Sequence, residues 1–117
     1  MTGPEETLQQ MVIDLAHICG WKCAHFRPAL TKHGWRTPVS ADGKGWPDLV
    51  LVRDIVIYRE LKADGGKLSE EQTQWLVDLR AAGQDAAVWR PNDWPTIQAT
   101  LTRRRSRPQS ASQEFGA

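Results

Sequence analysis

Apolar residues first recur at helical spacing in Leu8, Met11, Val12, Leu15, Ala16 and Ile18, and the run stops at Gly20. Pro4-Glu5-Glu6 ahead of it has the form of a helix start. Proline suits the first turn, where its missing N–H costs nothing, and acids there meet the positive end of the helix dipole. Residues 21–27 are short and rich in aromatic and small side chains, which predicts a strand. From 28 to 44 the apolar period disappears and Pro, Gly, Thr, Ser and His take over, which predicts a long loop; ordered loops of that length in small domains tend to be functional. Leu49-Val50-Leu51-Val52 and Ile55-Val56-Ile57-Tyr58 are two β-forming runs with Arg53-Asp54 between them, and a hairpin is the economical solution. The second run continues through Arg59-Glu60-Leu61-Lys62 to a turn signal at Asp64-Gly65-Gly66. Ser69-Glu70-Glu71-Gln72 has the form of a capping box and opens a helix with Trp75, Leu76, Leu79 and Ala82 on its apolar face, ended by Gly83. Residues 86–89 predict a fourth strand, and Asp93 is placed to cap a last short helix carrying Ile97 and Leu101. The predicted order is αβββαβα, an α/β fold with a mixed four-stranded sheet flanked by helices.

With 117 residues there is room for one domain and one modest core. The 40% hydrophobic and 25% charged fractions are those of a soluble globular chain. No run approaches the ~20 consecutive apolar residues of a membrane span. The opening residues carry acid where a secretory leader carries Lys or Arg, so the expected compartment is the cytoplasm. Past Leu101 the chain turns Arg-, Ser- and Gln-rich. Four arginines against Glu114 give residues 103–117 a charge of +3, which leaves −2 for residues 1–102. The expected division is therefore a folded domain over 1–102 and a basic, disordered tail over 103–117. Cys19 and Cys23 could form half a zinc site, but no second pair follows at finger spacing, and two small buried residues are the simpler expectation.

Charge patterning inside the hairpin changes the picture further. Asp48 opens the first strand directly after Gly45-Trp46-Pro47, and Glu60 and Lys62 end the second. In an antiparallel hairpin the start of one strand lies beside the end of the other, so Asp48 and Glu60 should meet. Glu60 and Lys62 are two apart and share a face, roughly 6 to 7 Å from each other. Register decides whether Asp48 joins them. A two-residue turn at 53–54 pairs Asp48 with Arg59 and sends it to the wrong face; one more turn residue corrects this. Two converging carboxylates suit a hard divalent cation such as Mg²⁺, and a neighbouring lysine can orient a water or steady charge on a phosphate. That combination is the chemistry of a phosphodiester hydrolase.

Gly45-Trp46-Pro47-Asp48, then Glu60-Leu61-Lys62, then Leu68-Ser69 followed by Gln72 and Trp75-Leu76, resembles the PD-(D/E)xK nuclease superfamily. More narrowly it resembles the VRR-NUC (virus-type replication-repair nuclease) branch, a phage and prophage type, over about residues 5–101. The resemblance implies a restriction-endonuclease-like core, with Asp48, Glu60 and the backbone carbonyl of Leu61 as ligands of Mg²⁺ or Mn²⁺. It implies Lys62 as the catalytic lysine and Gln72 as a supporting residue. It also implies an acid on the first helix, for which Glu5 and Glu6 compete; Glu5 shares a face with Leu8 and Val12 and is the better placed.

The long loop region supplies candidates for contact with nucleic acid. His25, Arg27, Lys32, His33 and Arg36 form a basic stretch with Phe26 and Trp35 interleaved, and Lys44 and Trp46 lie beside the proposed site. Basic groups neutralise phosphates, and aromatics stack on unpaired bases. Of six tryptophans, Trp21, Trp75 and Trp89 sit in element patterns and are expected in the core. The leading expectation is a metal-dependent DNA endonuclease that recognises branched or junction DNA, in the manner of a Holliday junction resolvase, during phage replication, repair or recombination. Cutting two strands with one small domain calls for a homodimer. The competing expectation is a non-catalytic nucleic-acid-binding protein that keeps the nuclease fold.

Overall fold

The computed structural model describes residues 3–26, 29–32, 34–36 and 39–106. Helix α1 (Pro4–Ile18) leads into strand β1 (Lys22–His25), a small hairpin of β2 (Ala29–Thr31) and β3 (Gly34–Arg36), then β4 (Leu49–Val52) and β5 (Val56–Leu61). Helix α2 (Glu70–Ala81), strand β6 (Asp85–Trp89), a 3-10 turn at Pro91–Asp93 and helix α3 (Trp94–Leu101) complete it. The main sheet has the order β1-β4-β5-β6, antiparallel except for the β5–β6 pair, so it is mixed and four-stranded as expected. No helix among the described residues is long and apolar enough to cross a membrane.

The two faces of the sheet differ in kind. Leu49 and Leu51 of β4 and Ile57 and Leu61 of β5 point to one face and pack against Leu8, Val12 and Ala16 of α1 and Ile97 and Leu101 of α3, with Trp21 and Trp89 closing the ends of this core. The opposite face carries Val50, Tyr58 and Ala86, and α2 covers it with the buried Leu76. Because side chains alternate along a strand, Asp48 and Glu60 fall on this second, thinner-cored face.

Several expectations need correction. The stretch expected to be a long loop contains the β2–β3 hairpin, a two-stranded sheet separate from the main one. Ile55 belongs to the β4–β5 turn, where Arg53 N–H donates to the Ile55 carbonyl at 3.0 Å, and β5 starts one residue later. Trp21 and Trp89 are core, but Trp75 is only half-buried and its indole N–H donates to the carbonyls of Asp42 and Lys44. Asp93 does not cap α3 through its side chain; that carboxylate accepts from Arg90 N–H and closes the preceding 3-10 turn. Residues 103–106, expected in a disordered tail, are docked on the body: Arg103 pairs with Asp54 at 2.8 Å and Ser106 N–H donates to the same carboxylate at 2.6 Å. Residues 107–117 lie outside the described residues.

Candidate active site

The β4–β5 register settles the question left by the hairpin. Leu49 pairs with Arg59 and Val52 with Val56, so the turn holds three residues, Arg53 to Ile55, and the ladder continued by one step sets Asp48 opposite Glu60 on the same face. Asp48 is then held in place, its Oδ2 accepting from Leu61 N–H at 2.9 Å. In a strand the N–H and C=O of one residue point to the same edge, so the Leu61 carbonyl is directed to the Asp48 side as well.

Glu60 is 2% exposed. Its Oε1 accepts from Gln72 Nε2 at 3.0 Å, while its Oε2 is buried without a hydrogen-bond donor. Burial first, and then the facing Asp48 carboxylate, push its pKa up to about 9, against the attraction of Lys62. A buried carboxylate with an unsatisfied oxygen is costly unless something positive accompanies it. Gln72 is held at both ends, since its Oε1 accepts from Ser69 N–H at 2.9 Å to complete the capping box of α2. One side chain thus starts a helix and positions a carboxylate.

Of the two acids on α1, Glu5 interacts with the charges of the site, and both line the cleft that reaches Asp48. The Glu5 carboxyl is raised above the usual range by partial burial and then by Asp48, and opposed by Lys62 and by a hydrogen bond from Ala63 N–H. Glu5, Asp48, Glu60 and Lys62 are thereby one electrostatic group at the end of the sheet where β4 begins and β5 stops. Among the described residues no three His, Cys, Asp or Glu side chains are drawn tightly enough to enclose a cation. An open set of two facing carboxylates and a carbonyl is what Mg²⁺ tolerates, because it keeps several of its waters.

The Gly-x-Pro-Asp stretch has its own structural reason. Gly45 has φ +89°, and a Cβ there would lie 2.5 Å from the Glu71 backbone carbon and 2.7 Å from the Gln72 nitrogen. Only glycine lets the loop lie on the first turn of α2. Trp46 follows it into an aromatic cluster, edge-on to Trp75 (5.0 Å between centroids), Tyr58 (5.8 Å) and Phe26 (6.1 Å), with its indole nitrogen buried and unpartnered. Pro47 is fully buried. Trp46, expected as a contact for nucleic acid, packs in this cluster and anchors the loop carrying Asp48.

The model of the VRR-NUC domain matches residues 6–92. The chain belongs to the VRR-NUC family. Membership gives this VRR-NUC domain a nuclease-type function. The matched span takes in Asp48, Glu60, Lys62 and Gln72, and stops one residue short of Glu5. Searches of the curated proteins and of the solved structures returned no match.

Among the other expected nucleic-acid contacts in the VRR-NUC domain, Lys32 and Lys44 fall within the described residues. Lys44 is exposed but pairs with Glu71 at 3.1 Å, on the α2 side of the loop. Lys32 is exposed in the turn between β2 and β3. Arg27 and His33 lie outside the described residues, as do the side chains of Trp35 and Arg36, although both belong to β3. Sequence reasoning missed Arg90, whose Nη1 donates to the carbonyls of Ala63 and Gly66, both at 2.7 Å, and ties down the segment after Lys62. Nothing in a linear motif marks that arginine. Gln9 was also missed, although its place one helical turn after Glu5 could have found it; its Nε2 lies 3.4 Å from His25 Nδ1.

Proposed function

We propose that this VRR-NUC domain is a divalent-metal-dependent endonuclease that hydrolyses phosphodiester bonds of DNA. The observation that carries the reading is Glu60, a buried carboxylate with one oxygen unsatisfied and a second carboxylate, Asp48, facing it. Asp48, Glu60 and the Leu61 carbonyl fit a hard divalent ion, Mg²⁺ or Mn²⁺. Such an ion, when bound, supplies Lewis-acid charge to the phosphate and makes water a better nucleophile. Lys62 shares the Glu60 face of β5 and acts on the water that attacks phosphorus, or on the charge that grows on the phosphate oxygens. Gln72 keeps the Glu60 carboxylate aimed, and Glu5 closes the site from α1.

The finer reading follows the family resemblance: branched or junction DNA as substrate, a role in phage replication, repair or recombination, and a homodimer that brings one site to each of two strands. Supercoiled plasmid, linear duplex and four-way junctions incubated with Mg²⁺, Mn²⁺ or EDTA test it. Cleavage requires metal, and Asp48→Ala and Lys62→Ala each lower the rate on the order of 10²–10³-fold. Metal-dependent cutting that survives in both variants rules out this site. Binding of DNA without cleavage under any condition supports the non-catalytic alternative.

A further inference from the structure

Lys62 is the first residue past β5, and its N–H donates to the Trp89 carbonyl at 3.1 Å, which carries the pairing with β6 one step beyond the strand. Its side chain is a flexible four-carbon stem ending in a point charge, so a fixed backbone does not by itself fix the ammonium. The next turn of the chain lies along that stem. Gly66 N–H donates to the Ala63 carbonyl at 2.9 Å and closes a turn over residues 63–66. A Cβ built on Gly66 would stand 3.7 Å from Lys62 Cδ, so the Gly66 backbone is a wall beside the lysine stem.

By composition that wall is weak. Glycine has the greatest backbone freedom of any residue, and the turn contains Gly65, at φ +82°, next to Gly66. Two contacts from beyond β6 stiffen it. Arg90 Nη1 donates to the carbonyls of Ala63 and Gly66, both at 2.7 Å, so one guanidinium nitrogen grips both ends of the turn. Asn92 N–H donates to Asp64 Oδ1 at 3.1 Å. Hydrogen bonds from a charged donor are shorter and stronger than neutral ones. Arg90 is itself held, its backbone N–H donating to Asp93 Oδ2 at 2.8 Å. The Ala63 peptide links this clamp to the acids, because its N–H is hydrogen-bonded to Glu5.

We infer that Arg90 is a positioning residue for Lys62: its grip on Ala63 and Gly66 holds the turn beside the lysine stem and thereby sets the ammonium relative to Asp48 and Glu60. Displacing a reacting group by about 1 Å costs on the order of 10²-fold in rate, so a clamp set back from the chemistry still governs it. The effect on cleavage rests on the nuclease reading above, whereas the effect on Lys62 rests on the turn alone.

The test uses full-length protein and has one readout that needs no turnover. NMR relaxation of the Lys62 side chain shows restricted motion in the wild type, free motion in Arg90→Ala and intermediate motion in Arg90→Lys, whose ammonium lacks the rigid fork of donors. In DNA cleavage, Arg90→Ala lowers kcat on the order of 10²-fold and leaves KM within about twofold. Guanidinium ion at millimolar concentration restores part of that loss in Arg90→Ala and nothing in Lys62→Ala. In the Lys62→Ala background, Arg90→Ala costs no further activity, since the two act as one unit. Thermal denaturation identifies the folded variants, and Arg90→Lys carries the comparison if Arg90→Ala does not fold. A folded Arg90 variant whose Lys62 stays as ordered as in the wild type overturns the inference, and so does a loosened Lys62 with unchanged kcat. A loosened Lys62 in a protein whose wild type cuts no DNA leaves the clamp standing and overturns the nuclease reading.

Discussion

Glu60 is an acid whose burial works against its own charge, and the consequence is measurable in folding. In the unfolded chain it ionises near the ordinary glutamate pKa of about 4.3, whereas in the folded protein it keeps its proton to about 9. Between those values the folded state binds more protons than the unfolded state, so stability falls as pH rises through the window. The metal-free protein is therefore expected to lose Tm progressively from pH 5 to pH 9. Glu60→Gln flattens that slope while abolishing cleavage. Added Mg²⁺ favours the ionised carboxylate and raises the wild-type Tm more at pH 8 than at pH 6. Calorimetric scans at several pH values check all three, and a wild-type slope identical to that of Glu60→Gln refutes the assignment. This trait was only half legible in the sequence. The Glu-x-Lys spacing gives a shared face, but the burial of Glu60 depends on α2 and on Gln72, twelve residues further on.

At the scale of elements, helix α2 does two things with one turn, and substitutions can separate them. Ser69→Ala removes the side-chain cap and is expected to cost about 1 kcal/mol of stability, with little effect on cleavage, because Ser69 N–H still holds Gln72 Oε1. Gln72→Leu loses its part of the cap and the donor to Glu60 together, so stability and cleavage fall in the same variant. Gly45→Ala attacks the other partner of that turn. The left-handed backbone alone costs an alanine about 1–2 kcal/mol, and the overlap with Glu71 and Gln72 forces the loop off α2 and takes Asp48 with it. Urea denaturation and cleavage assays on the three variants check these expectations; a Gly45→Ala protein with wild-type activity would show that the loop is not what sets Asp48. Ser69 and Gln72 were readable from spacing as a capping box. That the same turn receives Gly45 was not, because a close approach between residues 26 apart leaves no local pattern.

Across the whole molecule, the end opposite the site is closed by the chain itself. Arg53 lies over the Trp21 ring, donates to the carbonyls of Cys19 and Arg103, and pairs with Asp54. Asp54 accepts from Ser106 N–H, Arg53 and Arg103, contacts that hold its carboxyl far below the usual carboxylate range. Because that pKa is depressed in the folded state, the contribution is full above about pH 4 and is lost as pH falls further. Truncation after Leu101 is expected to lower Tm and to weaken this pH dependence, whereas truncation after Ser106 preserves both. Only the second truncation removes Arg107, the single arginine beyond Ser106, with these contacts intact, so that its effect on the salt dependence of DNA binding can be measured. The sequence by itself determined the helices and the mixed four-stranded sheet, because helix and strand periods and capping are local properties of the chain, while the family resemblance put Asp48, Glu60, Lys62 and Gln72 in one motif. Tertiary structure decided the three-residue turn that sets Asp48 opposite Glu60, the approach of Glu5 to Asp48 and Lys62, and the docking of Arg103. It also decided the packing of Trp46 against Phe26, Tyr58 and Trp75. Each depends on which distant segment comes to lie against it, and period and spacing carry no information about contacts between segments far apart in the chain.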